Sequence, residues 1–145
     1  MSIPSDELLN LTSQVIDYAL EQVIDIYENK GVFIPFSISD WGVLQRYITE
    51  EEDGFSVTQE NISTWIKLLS ENSWNDKINI FIHDWLLTLP DEDFKRDALI
   101  IQSFDYTIWK VFTFWLIYEV VKKFLRKPII NEIGNMKTLD IKDIK

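Results

Sequence analysis

At 145 residues the chain has the size of one ordinary domain, and 46% apolar with 14% aromatic residues supplies the burial that offsets chain entropy, which excludes a wholly disordered protein. It contains no cysteine, so a disulfide framework, a thiolate metal site and a cysteine nucleophile are excluded, and a reducing compartment fits. The net charge of −10 is uneven, with twelve acidic and two basic side chains in residues 1–60 against twelve of each in 61–145; such a field repels nucleic acid and anionic membranes and attracts basic surfaces.

Residues 5–29 predict the first helix. Ser5 stands as its cap after Pro4, Asp6 and Glu7 suit the first turn, and Gly31 lies just past the end. Leu8, Leu11, Val15, Ala19, Val23 and Ile26 recur at helical spacing, with Ile16, Leu20 and Tyr27 widening the stripe. On the other side Asp17, Glu21, Asp25 and Glu28 fall within roughly 80° of arc. Like charges so stacked cost a helix about 0.2–0.5 kcal/mol per pair.

In GVFIPFSISDWGVLQRYITE the period changes. Val32, Ile34, Phe36 and Ile38 alternate, DWG turns the chain, and Leu44, Arg46 and Ile48 alternate again, which predicts an antiparallel ribbon. Pro35 cannot donate to a ladder, so the first strand is expected to be an edge or to bulge there. EEEDG reads as a charged loop, and a second helix is expected over 58–72, capped by Ser56 or Thr58, with Ile62, Trp65, Ile66 and Leu69 on one face. SENSWND closes it with loop chemistry.

KINIFIHDWLLTL at 77–89 reads as a strand ended by Pro90, and ALIIQSFDY as its antiparallel neighbour after the polar PDEDFKRD. The stretch from Thr107 onward fits an alternating set (Ile108, Lys110, Phe112, Phe114, Leu116, Tyr118) and also a helical stripe (Phe112, Leu116, Val120, Phe124), and its aromatic and β-branched content favours strand. KKFLRK is then a loop and PIINEI a last short strand. The order α-β-β-α-β-β-β(-β) predicts an α+β fold, an antiparallel sheet of five to six strands with both helices on one face. One domain is expected over 1–134, with a loosely held tail over 135–145.

The N-terminus MSIPSDELLN lacks the pattern of a secretory signal. YTIWKVFTFWLIYEVV is interrupted by Lys110 and Glu119 and is shorter than the roughly 20 residues that span a bilayer. A cytoplasmic protein with no membrane partner is the expectation.

No group of residues makes a catalytic or cofactor motif. His83, the single histidine, stands beside Asp84, too few ligands for a metal pair and without a nucleophile motif for a triad. Asp91, Glu92, Asp93 and Asp97 lack the glycine and terminal glutamate of a calcium loop. Gly31, Gly42, Gly54 and Gly134 are isolated, so no phosphate loop exists. Lys122, Lys123, Arg126 and Lys127 form a short basic cluster in an acidic chain, which reads as a solvated loop and does not predict nucleic-acid binding. No catalytic residue, metal or cofactor is expected.

Six tryptophans are present: Trp41, Trp65, Trp74, Trp85, Trp109 and Trp115. Trp65 falls on the helical stripe, whereas Trp41 lies in a turn and Trp74 in a loop, positions that suit contact anchors.

GVFIPFSI, preceded by an amphipathic helix and followed by a hairpin, resembles the opening of small uncharacterised bacterial α+β proteins in which a helix leads into a glycine-x-Phe-x-Pro-Phe strand. The similarity covers residues 15–50, and some proteins of this type resemble immunity partners of polymorphic toxins. That resemblance implies fold and carries no functional residues. The expectation for function is a non-enzymatic module that binds a basic protein, such as a toxin whose cleft grips nucleic acid, through Asp17, Glu21, Asp25, Glu28 and the run Glu50, Glu51, Glu52 and Asp53, with Trp41 and Trp74 as anchors. The alternative is a small-ligand-binding or regulatory protein, with aromatic residues lining a cavity. The sequence sets no oligomeric state.

Overall fold

Ser5 opens the first helix as its spacing predicts. Its Oγ accepts the Leu8 N–H at 3.2 Å and its carbonyl accepts the Leu9 N–H at 3.0 Å, a side-chain cap of the kind that contributes about 1 kcal/mol. In the computed structural model, which describes residues 3–29, 33–47, 49–51, 54–56, 59–71, 75–87, 93, 96–119, 129–135 and 138–143, helix α1 spans Asp6–Asn29. Leu8, Val15, Ala19, Leu20 and Val23 are buried along it.

Strands β1 (Phe36–Ser39) and β2 (Leu44–Arg46) form the expected hairpin. Ser39 and Val43 close a three-residue loop in which Gly42 takes φ 79° and donates to the Ser39 carbonyl at 2.9 Å. A left-handed residue at the third loop position is what such a turn needs, and glycine takes it without steric cost.

The remaining elements are β3 (Thr49–Glu51), β4 (Gly54–Ser56), α2 (Gln59–Glu71), β5 (Ile78–Leu87), β6 (Arg96–Asp105), β7 (Lys110–Glu119), β8 (Ile129–Asn135) and β9 (Leu139–Asp140), with a 3-10 turn at Ile141–Asp143. The main sheet is antiparallel, in the order β2-β1-β5-β6-β7-β8, and β9 pairs with the start of β7. The α+β class, the two helices and the six-strand path are as the sequence predicts, and the ambiguous stretch after Thr107 is strand β7.

Four expectations are corrected. First, the helices take opposite faces. Phe36, Ile80, Ile82, Leu99, Ile101, Phe112 and Leu116 join α1 in one buried cluster, whereas Phe81, Phe104 and Val111 join Ile62 and Leu69 of α2 in another. Because successive strand residues point to opposite faces, Ile80 and Ile82 cannot share a face with Phe81. The central strands are therefore buried on both sides, and their apolar runs are nearly continuous.

Second, β1 is no edge. It pairs with β2 on one side and β5 on the other, and Pro35 stands before the strand, where its missing N–H costs no ladder bond and its carbonyl accepts the Tyr47 N–H at 2.8 Å. Third, the acidic run is not simply a loop. Thr49–Glu51 pairs with Gly54–Ser56 in a separate two-stranded ribbon, in which Thr49 and Phe55 are residue types that favour strands.

Fourth, the described part of the tail, 138–143, is docked. Leu139 pairs with Val111, the Ile141 N–H reaches the Trp109 carbonyl at 3.0 Å, and Ile141 is 2% exposed in the α2 cluster. An apolar side chain so placed contributes roughly 1.5–3 kcal/mol. The expected Gly31 and Thr58 caps, the Pro90 stop and the KKFLRK loop lie outside the described residues.

Candidate functional site

Ala19 and Val23 turn one side of α1 into the sheet, so the residues half a turn away face outward. Asp17 and Glu21 are exposed there, in line with exposed Asn10 and Gln14 at spacings of four, three and four. Asp25 and Glu28 continue the same row along the α1 backbone, and their side chains lie outside the described residues.

Towards its N-terminus the row meets a groove of about 430 Å³ lined by Glu7, Asn10, Leu11 and Gln14 of α1 and by Asp40 of the β1–β2 turn. Asp40 is held from two sides. Its Oδ1 accepts the N–H groups of Lys77 at 3.1 Å and Ile78 at 3.3 Å, and its own N–H donates to the Ile78 carbonyl at 3.0 Å. Asp76 lies close enough that its carboxyl is pushed above the usual range, by desolvation first and by the Asp40 charge second. Negative charge is thus concentrated where α1, the turn and the start of β5 converge.

The turn also carries apolar surface. Trp41 is 76% exposed, Val43 62% and Leu44 41%. The expected anchor Trp41 therefore stands free of the core, beside a groove whose residues sequence reasoning did not pick out. Asn10 and Gln14 were legible as uncharged members of the acidic row; Glu7 and Asp40 were not, because only the hairpin's return brings them together.

The other expected residues divide. Glu50 and Glu51 lie in β3, with side chains outside the described residues, and Glu52, Asp53 and Trp74 lie outside them entirely. The ribbon carrying Glu50 is not hydrogen-bonded to the main sheet among the described residues, so the structure does not join the acidic run to the row on α1.

His83 is buried between the rings of Phe81 and Trp85. Its Nδ1 lies 3.0 Å from the Asp84 carbonyl, an acceptor, so Nδ1 is the donor of that bond. Desolvation lowers its pKa. On the opposite face Asp84 and Asp97 approach Tyr118; burial first, and then the Asp97 charge, raises the Asp84 carboxyl, and burial followed by the two carboxylates raises the phenol. Among the described residues no three metal-ligating side chains converge, and no helix is long and apolar enough to cross a membrane.

Comparison with protein-family models, curated proteins and solved structures gives no match.

Proposed function

We propose that this chain is a non-enzymatic binding protein that captures a basic protein through the outward face of α1. Asp17, Glu21, Asp25 and Glu28 form the electrostatic surface, Glu50, Glu51, Glu52 and Asp53 extend the acidic field, and Trp41 is the apolar anchor, with Trp74 as a second. The observation that carries this reading is the alignment of exposed Asp17 and Glu21 with a groove bordered by Glu7 and Asp40, next to a tryptophan 76% exposed. Carboxylates at fixed helical spacing imitate a phosphate array and steer association, and tryptophan is among the residues enriched at interface hot spots. A protein whose own cleft grips nucleic acid, as in a toxin neutralised by an immunity protein, is the partner class that fits.

A small-ligand site is served less well. Ligand pockets are mostly apolar with few polar groups, whereas four of the five residues bordering this groove are polar or charged. The test replaces Asp17, Glu21, Asp25 and Glu28 with glutamine and, separately, Trp41 with alanine. With the partner recovered from the native organism, the quadruple variant should associate more slowly and with a flatter salt dependence, and Trp41→Ala should dissociate faster. An unchanged association rate and salt dependence would leave the row as the solvated side of a helix.

A further inference from the structure

The hairpin that carries Trp41 ends the sheet, and its outer edge has a register that can be read from two hydrogen bonds and the pairing. Val43 gives its carbonyl to Ser39, Gln45 pairs with Ser37, and Tyr47 gives its N–H to Pro35. In an antiparallel pair the residues that bond inward alternate with those that do not. Val43, Gln45 and Tyr47 therefore bond to β1, and Leu44 and Arg46 turn their N–H and C=O groups outward. Among the described residues no strand pairs with β2 on that side, and Leu44, Gln45 and Arg46 are all exposed.

Such an edge is a template for an added strand. Most sheets blunt it with charge or proline, yet here the residues around it are Trp41, Val43 and Leu44, with Arg46 alone charged. Leu44 pairs with Ile38 and lies on the α1 side of the sheet, the side on which the groove with Glu7 and Asp40 opens. A second copy of this chain is a poor occupant, because two surfaces drawn from a half with twelve acidic and two basic side chains repel.

We infer that β2 captures an extended segment of a cationic partner by strand addition, with the four backbone groups of Leu44 and Arg46 as its hydrogen-bonding partners. On the α1 side an apolar side chain of the incoming strand lies against Leu44, and the next side chain on that same face, towards the turn, is basic and approaches the acidic groove of Glu7 and Asp40, while the alternate side chains face away. Arg46 marks the far end, where a basic residue is disfavoured. The inference rests on the proposed function and names the form in which the basic partner is gripped.

The probe is a heptapeptide with threonine at the even positions and valine and lysine sharing the odd ones, so that both stand on one face of the strand, titrated into the full-length protein with amide exchange followed by NMR. Exchange at Leu44 and Arg46 should slow by about tenfold or more while Gln45, already bonded to β1, stays as it was. The same peptide with glutamate in place of lysine should give no slowing, nor should the cationic peptide with its pairing amides N-methylated. Arg46→Pro removes an outward donor and leaves the inward ladder; it should abolish peptide binding with Gln45 still protected. Absence of slowing at Leu44 and Arg46, equal slowing by both peptides, undiminished binding to the Arg46→Pro variant, or protection that grows with protein concentration alone would each overturn the inference. If the glutamine variant of α1 captures the partner slowly but Leu44 and Arg46 exchange freely in that complex, strand addition fails and the acidic face stands. If those amides are protected while the variant captures at the native rate, the acidic face fails instead.

Discussion

The indole of Trp115 on β7 lies against Gly134 of its neighbour β8, so closely that a Cβ built at 134 would fall inside contact distance of the ring atoms Cζ2, Cε2 and Nε1. Glycine is needed there for its missing side chain, and the glycine lets a half-buried tryptophan lie flat across the strand pair. Gly134→Ala should therefore destabilise the fold by about 1–3 kcal/mol, the usual cost of overpacking. Chemical denaturation measures it. In a double-mutant cycle Trp115→Leu should recover part of the loss, since the two residues share one space; strictly additive effects would show that the ring is not what excludes the methyl group.

Adjacent residues on β5 give opposite responses to pH. Burial lowers the His83 pKa, so the unfolded chain takes up a proton that the folded chain refuses, and stability is lost as pH falls below the ordinary histidine value near 6.5, by at most about 1.4 kcal/mol per pH unit. Asp84 is raised by burial and then by Asp97. Its contribution is therefore present below the unfolded carboxylate value and lost as pH rises through the folded one. Thermal denaturation from pH 7 downward should show a loss that His83→Gln flattens. Asp84→Asn should stabilise the protein at pH 7, and a destabilised Asp84→Asn variant at that pH would show that the carboxylate has a compensating partner.

The C-terminal segment separates packing from charge. Lys110 and Asp140 form an ion pair that is about one third exposed on each side, worth no more than about 1 kcal/mol in such surroundings. Ile141, the next residue, is buried in the α2 cluster. Ile141→Ala should cost about 2–4 kcal/mol, and Asp140→Asn should cost less than half as much. Comparable losses would place the holding force in the ion pair.

What the sequence revealed follows from how local each signal is. The cap at Ser5, the stripe from Leu8 to Val23 and the DWG turn are set by residues within a few positions, and the structure keeps them. The placement of the helices is written in IFI at 80–82 and ALII at 98–101, where both parities are apolar, the pattern of strands buried on both faces. Ile141 and the Glu7–Asp40 groove depend on partners 30 or more residues away. No periodicity reports such meetings. The exposure of Trp41 was legible from its position in a turn, whereas the outward register of Leu44 and Arg46 shows only in the hydrogen bonds that β2 makes to β1.

The acidic row and the exposed turn should be separable from stability. Asp17 and Glu21, four residues apart on one side of α1, are exposed and repel each other, so Asp17→Gln with Glu21→Gln should leave stability unchanged or raise it by about 0.2–0.5 kcal/mol. Trp41 touches the core too little to matter: at 76% exposure its replacement by alanine should shift stability by no more than about 0.5 kcal/mol. Trp65 is the control, half-buried against Tyr47 with ring centroids 5.4 Å apart, and Trp65→Ala should cost about 3–5 kcal/mol less the share that its exposure returns. Urea denaturation of the four proteins measures these differences side by side. A loss of more than 1 kcal/mol on removing Trp41, about twice the surface-residue range, would give that side chain a structural reason to be there and weaken its reading as an anchor.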